Sequence, residues 1–356
     1  MLDNKSGLKV AHIVGSLNVG GAERFVIDLC RTQKNNGEKP LVISLGQPGE
    51  QLEPECNAQK ITFFSSRRST IFKLIQVFIS LKKVDVVHIH SPHALKFLQV
   101  MLPFVKAKII YTRHGAAPLK AEHWKKLHVK VQSVINAVTF VSQEGMDNFK
   151  KQHHWPDTSH HVIDNGVIIN PVKSHEVSNG KIRLGSVGRM IPLKNQLSLL
   201  KAVKLLDIDL QNKIELHFFG DGECLESLRS YQKQAMPHLA VIFHGMVNDR
   251  EKIYSNFDTL VVCSETEGLS MVIIEAMANK IPVIATNVGG NPKLVLDQQT
   301  GWLFKYDDNK KLAEIITSIV KNADVLAPIG FEAFNYISAN FSIQSSAKKY
   351  LALYEK

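Results

Sequence analysis

The chain reads as an α/β protein of two doubly wound, Rossmann-like domains facing a cleft. Three observations predict this. Short apolar runs alternate with helix-length segments as far as Gln152, the rhythm breaks over residues 153–180, and the same alternation restarts at Ile182. Parallel strands need helical crossovers and are buried on both faces, so they appear as continuous apolar runs between helices. A chain of 356 residues is also long for a single core.

In order, Leu8–Val14 is a buried strand, followed by G-S-L-N-V-G-G-A-E-R and a helix from Ala22 to Lys34. Pro40–Leu45, Ile61–Phe64, Val84–Ile89, Lys108–Thr112 and Ala137–Val141 are strand-like. Arg68–Lys82, Ala94–Val105, Leu119–Val134 and Glu144–Gln152 are helix-like. The polar stretch with Pro171 and Gly180 places a domain boundary near Asn170 to Gly180. Strands resume at Ile182–Val187, Ile214–Phe219, Leu239–Phe243, Thr259–Cys263, Pro282–Ala285 and Trp302–Phe304. Helices over Asp324–Ile337 and Ser342–Glu355 close the sequence. Ligands of such sheets sit beyond the C-terminal strand ends, so those loops are where chemistry is sought.

Composition narrows the classes. Four scattered cysteines without a C-x-x-C pair argue for a reducing compartment and against disulfides or a zinc knuckle. The start, M-L-D-N-K-S-G, lacks a signal-peptide core, and lysines interrupt every long apolar run, so a cytoplasmic chain without a membrane span is expected. The net charge of +10 favours anionic partners. No RNP-like aromatic motif or zinc finger accompanies it, so nucleic acid is not expected as a partner.

The most informative stretch is S-E-T-E-G-L-S-M-V-I-I-E-A-M-A, Ser264 to Ala278. From Leu269 on, only Ser270 and Glu275 are polar, so the helix belongs in an interior and Glu275 needs a partner there. Glu267 lies just before the helix beside Gly268, where free backbone N–H groups attract an anion. A buried acid, an acid at the mouth and an anion-binding helix end suggest a nucleotide-sugar site. In the other half, Gly20-Gly21-Ala22-Glu23 opens a helix after the first strand, where glycines admit a phosphate or merely make a turn. Its G-x-x-x-x-G-G spacing, with no acid ending the second strand, does not fit a nicotinamide site.

Other motifs are weaker. Val187-Gly188-Arg189 ends a strand and Lys194 is read as the start of the next helix, two cations suited to a diphosphate, although such residues usually serve solubility. His114, in Y-T-R-H-G, is a candidate for a sugar hydroxyl or an ordinary structural histidine. His88, His90 and His93 tempt a metal reading, but no acid lies nearby, and no metal is expected. Asp207-Ile208-Asp209 matches D-x-D yet falls in a polar link between helix and strand, so it is discounted. Arg67–Lys83 is a basic-ended helix with a strong apolar face: a core-packing helix, or an interfacial one suited to an anionic membrane surface. The helix from Leu119 to Lys130 adds basic charge.

Taken together, G-G-A-E, V-G-R with a lysine five residues on, F-H-G-M-V before D-T-L-V-V-C-S, the E-x7-E pair Glu267 and Glu275, and P-V-I-A-T-N-V-G-G resemble the retaining glycosyltransferases of family four. The resemblance runs over essentially the whole chain. It implies a GT-B fold: residues 1–170 on the acceptor side, 171–340 binding the donor, and a helix from 341 to 356 crossing back to the first domain. It further implies that Glu275 accepts hydrogen bonds from the donor ribose and that Glu267 holds the transferred sugar near the reacting carbon. Arg189 and Lys194 would bind the diphosphate and stabilise the leaving group. Gly268, Leu269, Ser270 and Met271 would contact sugar and phosphates, Val247 the base, Gly21 the diphosphate and His114 the sugar. Leu269 stands where many members carry an aromatic, implying an altered sugar pocket, and Asn195 where glycine is common, implying a differently shaped phosphate loop.

The expected activity is metal-independent, configuration-retaining transfer of a hexose or N-acetylhexosamine, with no cofactor beyond the nucleotide sugar, a UDP-sugar first. The acceptor is a glycan or a lipid-linked chain in bacterial surface polysaccharide or lipopolysaccharide synthesis, with peripheral contact to the inner face of the cytoplasmic membrane. The rivals are a nucleotide-sugar-binding protein of weak catalysis and an epimerase or phosphorylase on the same fold.

Overall fold

A computed structural model of the protein describes residues 7–66, 70–116, 118–169 and 180–356. The chain divides into two compact units, Met1–Ile168 with Ile343–Lys356, and Ile169–Ser342. Most of the predicted boundary at Asn170 to Gly180 lies outside the described residues, as do Arg67 and Arg68 of the basic-ended helix.

The first unit begins with β1 (Lys9–Val14), α1 (Gly21–Asn35), β2 (Lys39–Ser44), α2 (Glu53–Ala58) and β3 (Thr62–Phe64). It continues with α3 (Thr70–Leu81), β4 (Val86–Ile89), α4 (Pro92–Leu98), β5 (Lys108–Arg113), α5 (Glu122–Val131), β6 (Ala137–Phe140), α6 (Gln143–Gln152) and β7 (His160–Val162). Its seven parallel strands lie in the order β3-β2-β1-β4-β5-β6-β7. Two apolar layers cover the sheet. Val77 and Leu81 of α3, Leu95 and Leu98 of α4, and Leu127 and Val131 of α5 build one. Val26, Ile27 and Cys30 of α1, with Cys56 of α2, build the other.

The second unit contains β8 (Ile182–Val187), α7 (Leu197–Lys204), α8 (Ile208–Gln211), β9 (Ile214–Phe219), α9 (Leu225–Ala235), β10 (Ala240–Gly245), α10 (Arg250–Tyr254) and β11 (Thr259–Val262). Then come α11 (Met271–Ala278), β12 (Val283–Thr286), α12 (Asn291–Leu294), β13 (Gly301–Phe304), α13 (Asn309–Lys321) and α14 (Leu326–Asn340). The six parallel strands run β10-β9-β8-β11-β12-β13. Asp258 clamps β8 beside β11: its Oδ1 accepts from Arg183 Nη2 at 2.6 Å and its Oδ2 from Arg183 Nε at 3.2 Å. Such a two-pronged pair fixes geometry as well as charge.

The closing helix, α15 (Ile343–Glu355), belongs to the first unit. Ile343 N donates to Val167 O at 2.9 Å, Ser346 Oγ to Asp164 O at 2.8 Å, and Tyr354 OH meets His88 Nδ1 at 2.7 Å. The fold is thus the two-Rossmann-domain arrangement expected, with the last helix returning to the first domain.

Several elements differ from their sequence reading. The helix expected from Lys194 begins at Leu197, because a 3-10 turn over Pro192–Lys194 and a left-handed Asn195 (φ 45°, ψ 42°) precede it. Asparagine tolerates that conformation nearly as well as glycine. Asn195 therefore makes a turn that glycine would also make. The helix read over Leu119–Val134 contracts to α5, and α2 and β7 were not anticipated. In the discounted D-x-D, Asp207 caps α8, its Oδ1 accepting from Leu210 N at 2.9 Å.

Candidate functional site

In the second unit the chain runs outward in opposite directions from β8, toward β9 and β10 on one side and toward β11 on the other. The crevice beyond the C-terminal ends of two such strands is the usual ligand position in this architecture. Two loops meet there. The loop after β8 carries Gly188, Arg189 and Lys194, and the loop after β11 carries Ser264, Glu267 and Gly268.

They are joined through Glu267. Lys194 Nζ donates to Glu267 Oε1 at 2.6 Å, Ser264 Oγ donates to the same oxygen at 2.7 Å, and Glu265 N donates to Leu193 O at 2.9 Å. Glu267 is largely enclosed and Lys194 partly so, which strengthens the pair relative to a surface one. Arg189 is exposed beside them. The loop after β12 packs so tightly here that a Cβ on Gly289 would overlap the Glu267 carbonyl, and Gly289 also has φ +55°. Only glycine meets both demands. Ser270 precedes α11 without a side-chain cap, so the N–H groups of Met271, Val272 and Ile273 in its first turn have no intrahelical acceptor.

Glu275, one turn into α11, is buried at 5% exposure. Tyr254 OH donates to its Oε2 at 2.6 Å, and Arg250 Nε lies 3.0 Å from its Oε1, an ion pair rather than an aligned hydrogen bond. Arg250 and Tyr254 sit four residues apart on α10, hence on one helix face. The partner that a buried acid demanded is therefore a pair, and the i, i+4 spacing in R-E-K-I-Y was its available signal. Ser264, by contrast, gave no sign.

The remaining predicted positions fall elsewhere. Val247 follows β10 at the sheet edge, two strands from β8. Gly21 and His114 belong to the first unit, Gly21 opening α1 and His114 following β5. The loop leading to Gly21 is tied down by Glu50, which the sequence reading passed over: its Oε2 accepts from Leu17 N at 2.5 Å and Ser44 Oγ at 2.9 Å.

His114 ends a chain of buried side chains. His12 Nε2 lies 2.8 Å from Gln33 Oε1, His12 Nδ1 lies 2.9 Å from His90 Nε2, and His90 Nδ1 lies 3.1 Å from His114 Nε2. An amide oxygen only accepts, so each Nε2 carries the proton and each Nδ1 accepts. His114 Nδ1 is left sealed and bare, with no hydrogen-bond partner among the described residues. His88 stands beside them, bonded to Tyr354 OH and, at 2.6 Å, to Thr112 Oγ1. The rings of His12, His88 and His90 place ligand nitrogens within 4.8 Å of one another. To converge on a metal they would have to give up these bonds. His93, grouped with them in sequence, is exposed and turns its ring to Trp124.

Burial keeps this cluster neutral. It depresses His12 and His114 from 6.5 to about 4, and His88 and His90 well below the ordinary histidine range. Each folded pKa lies below its unfolded value, so the unfolded chain takes up protons first as pH falls, and stability is lost between pH 6.5 and about 4. For fully buried His12 alone the loss is roughly 3 kcal/mol. Scanning calorimetry from pH 7.5 to 4 should show the unfolding temperature falling steadily below about pH 6.5; a flat profile would mean that these rings are not buried neutral.

Two parallel α/β units, the second with the Lys194–Glu267 ion pair at its sheet's switch point, define a protein of the two-Rossmann-domain class. The family model "Glycosyl transferases group 1" matches residues 170–333, and "Glycosyltransferase Family 4" matches residues 19–170. The first half of the chain is thus a glycosyltransferase family 4 domain and the second half a glycosyltransferase group 1 domain. It is 27% identical to an uncharacterized glycosyltransferase of Methanocaldococcus jannaschii, over 80% of this chain and 79% of that one. It is 26% identical to the capsular polysaccharide biosynthesis glycosyltransferase CapH of Staphylococcus aureus, over 81% and 83%. Among solved structures, Anabaena HepE in complex with UDP and glucose superposes with a TM-score of 0.87 at 19% identity, covering 98% of this chain and all of that one. At that identity the likeness speaks for the GT-B fold.

Proposed function

We propose that this glycosyltransferase moves a hexose or N-acetylhexosamine from a UDP-sugar, with retained configuration and without an obligatory metal, to a glycan or lipid-linked acceptor of a bacterial surface polysaccharide. The observation that carries the reading is the Lys194–Glu267–Ser264 constellation beside Arg189, at the switch point of the second sheet. The capsular function in the name of the Staphylococcus relative and the UDP in the HepE complex support the acceptor class and the nucleotide.

In this reading Arg189 and Lys194 hold the diphosphate, with the N–H groups at the start of α11 completing its cradle. Glu267 keeps Lys194 in place and accepts from sugar hydroxyls. Glu275, oriented by Tyr254 and Arg250, accepts from the ribose. The bond from the anomeric carbon to the phosphate oxygen breaks as the acceptor oxygen attacks from the same face. The departing diphosphate takes the acceptor's proton, while the two cations stabilise its growing charge. The fixed cations would thereby do the charge-stabilising work of a bound metal.

Calorimetry with EDTA present, titrating UDP, GDP, ADP and NAD into the protein, tests this. UDP should bind most tightly. A preference for GDP would change the donor class, and binding of NAD alone would overturn the assignment of this crevice.

A further inference from the structure

Helix α3 has two apolar faces and needs only one. Val77 and Leu81 enter the core, and Lys73 is buried with its ammonium donating to the carbonyls of Leu45 (2.9 Å) and Gly46 (3.0 Å). The opposite face carries Ile71, Phe72, Ile75 and Ile79, exposed by 69, 58, 50 and 50%. Positions i, i+1, i+4 and i+8 form one stripe on a helix. Val100 and Phe104, 56 and 70% exposed, follow α4, which shares the apolar layer of α3. Single exposed apolar side chains are ordinary, whereas a stripe of large ones marks an interaction surface.

Charge indicates the partner. Residues 56–121 contain eleven Lys and Arg against a single acid, Asp85, so this stretch holds a net charge equal to the +10 of the whole chain, and the remainder is balanced. Lys82 and Lys83, at the end of α3, and Lys106, just after Phe104, are exposed. A second copy docking by the same face would bring these lysines against each other, since a two-fold interface is self-complementary. An anionic bilayer satisfies both features, apolar side chains entering the acyl boundary and lysines meeting headgroups. Among the described residues no helix is long and apolar enough to cross a membrane, so the contact is a peripheral one.

We propose that the exposed stripe Ile71, Phe72, Ile75 and Ile79, together with the exposed Phe104, Lys82, Lys83 and Lys106, is the surface on which this enzyme lies on anionic lipid. The inference rests on the reading above that the acceptor is a glycan or lipid-linked chain of a surface polysaccharide, and its test is independent of catalysis. The full chain is floated with phosphatidylcholine vesicles, with and without phosphatidylglycerol. Uptake is expected only with phosphatidylglycerol, and each of Lys82→Gln, Lys83→Gln and Lys106→Gln should weaken it about fivefold, or about 1 kcal/mol. The quadruple variant Ile71→Ser, Phe72→Ser, Ile75→Ser, Ile79→Ser, altering only exposed side chains, should abolish uptake and leave UDP affinity unchanged. Equal uptake by the two vesicle types would overturn the lipid assignment, as would uptake that the quadruple variant retains. A concentration-dependent dimer that the variant dissolves, without vesicle uptake, would give this face to a second copy instead. A wild-type chain that binds UDP but no vesicle would sink this proposal alone; one that binds vesicles but no UDP would sink the donor reading alone.

Discussion

Lys194→Ala is expected to lower kcat/KM by about 10²–10³-fold, the usual cost of removing one preorganised group from developing charge. Lys194 is held from two sides: the turn over Pro192–Lys194 aims its backbone, and Glu267 Oε1 at 2.6 Å fixes its ammonium. A cation so placed has little reorganisation left to undergo when the diphosphate departs. The loss should fall mainly on kcat, because the negative charge grows in the transition state, and UDP affinity should weaken much less. Steady-state transfer and UDP calorimetry on the same protein separate the two. Equal losses in affinity and in kcat/KM, with kcat unchanged, would show that Lys194 only binds. No loss at all would reduce the pair with Glu267 to a structural salt bridge.

The second large effect concerns Glu275. Glu275→Ala should cost about 3 kcal/mol of stability, the lower end for breaking an enclosed ion pair, because Arg250 keeps some exposure. It removes the carboxylate that faces the Arg250 guanidinium and accepts from the Tyr254 hydroxyl. The same change should abolish detectable UDP binding if Glu275 holds the ribose. Replacing Glu275 and Arg250 together by Met separates these roles: similar apolar volume should restore most of the stability, and nucleotide binding should stay lost. Urea unfolding read beside UDP titration decides the matter. A double variant that binds UDP like the wild type would confine Glu275 to structure.

The legibility of this fold in its sequence follows from burial. Strands inside a parallel sheet must be apolar on both faces, so Val10–Val14 and Val283–Thr286 announce themselves. The edge strand β7 is only His-His-Val and reads as linker, and α2 is a single short helix around Pro54. Asn195 looked like a departure because a residue type, not a backbone angle, is what a sequence displays.

In the candidate site, residue types were legible and partnerships were not. Lys194 and Glu267 are 73 positions apart and meet because β8 neighbours β11, an order that strand count alone does not fix. His12 hid inside an apolar strand, and its meeting with His88 depends on β1 pairing with β4 in the register His12↔His88. The Tyr254–Arg250 pair was nearer to view, since helical spacing is local and a buried carboxylate requires something opposite it.

The return of α15 to the first unit sets a timetable for synthesis. Tyr354 supplies the hydroxyl that meets His88, and Tyr350 lies fully buried against Phe25 of α1. Residues 169–342 are continuous in sequence and hold all six strands of their sheet, so that unit can close as soon as it leaves the ribosome. The unit translated first must wait, its histidines lacking their tyrosine cover, until some 190 later residues have been made, which at typical elongation rates is on the order of ten seconds or more. The order of completion is therefore the reverse of the order of translation, and the half bearing the exposed apolar helix is the half that spends longest unfinished.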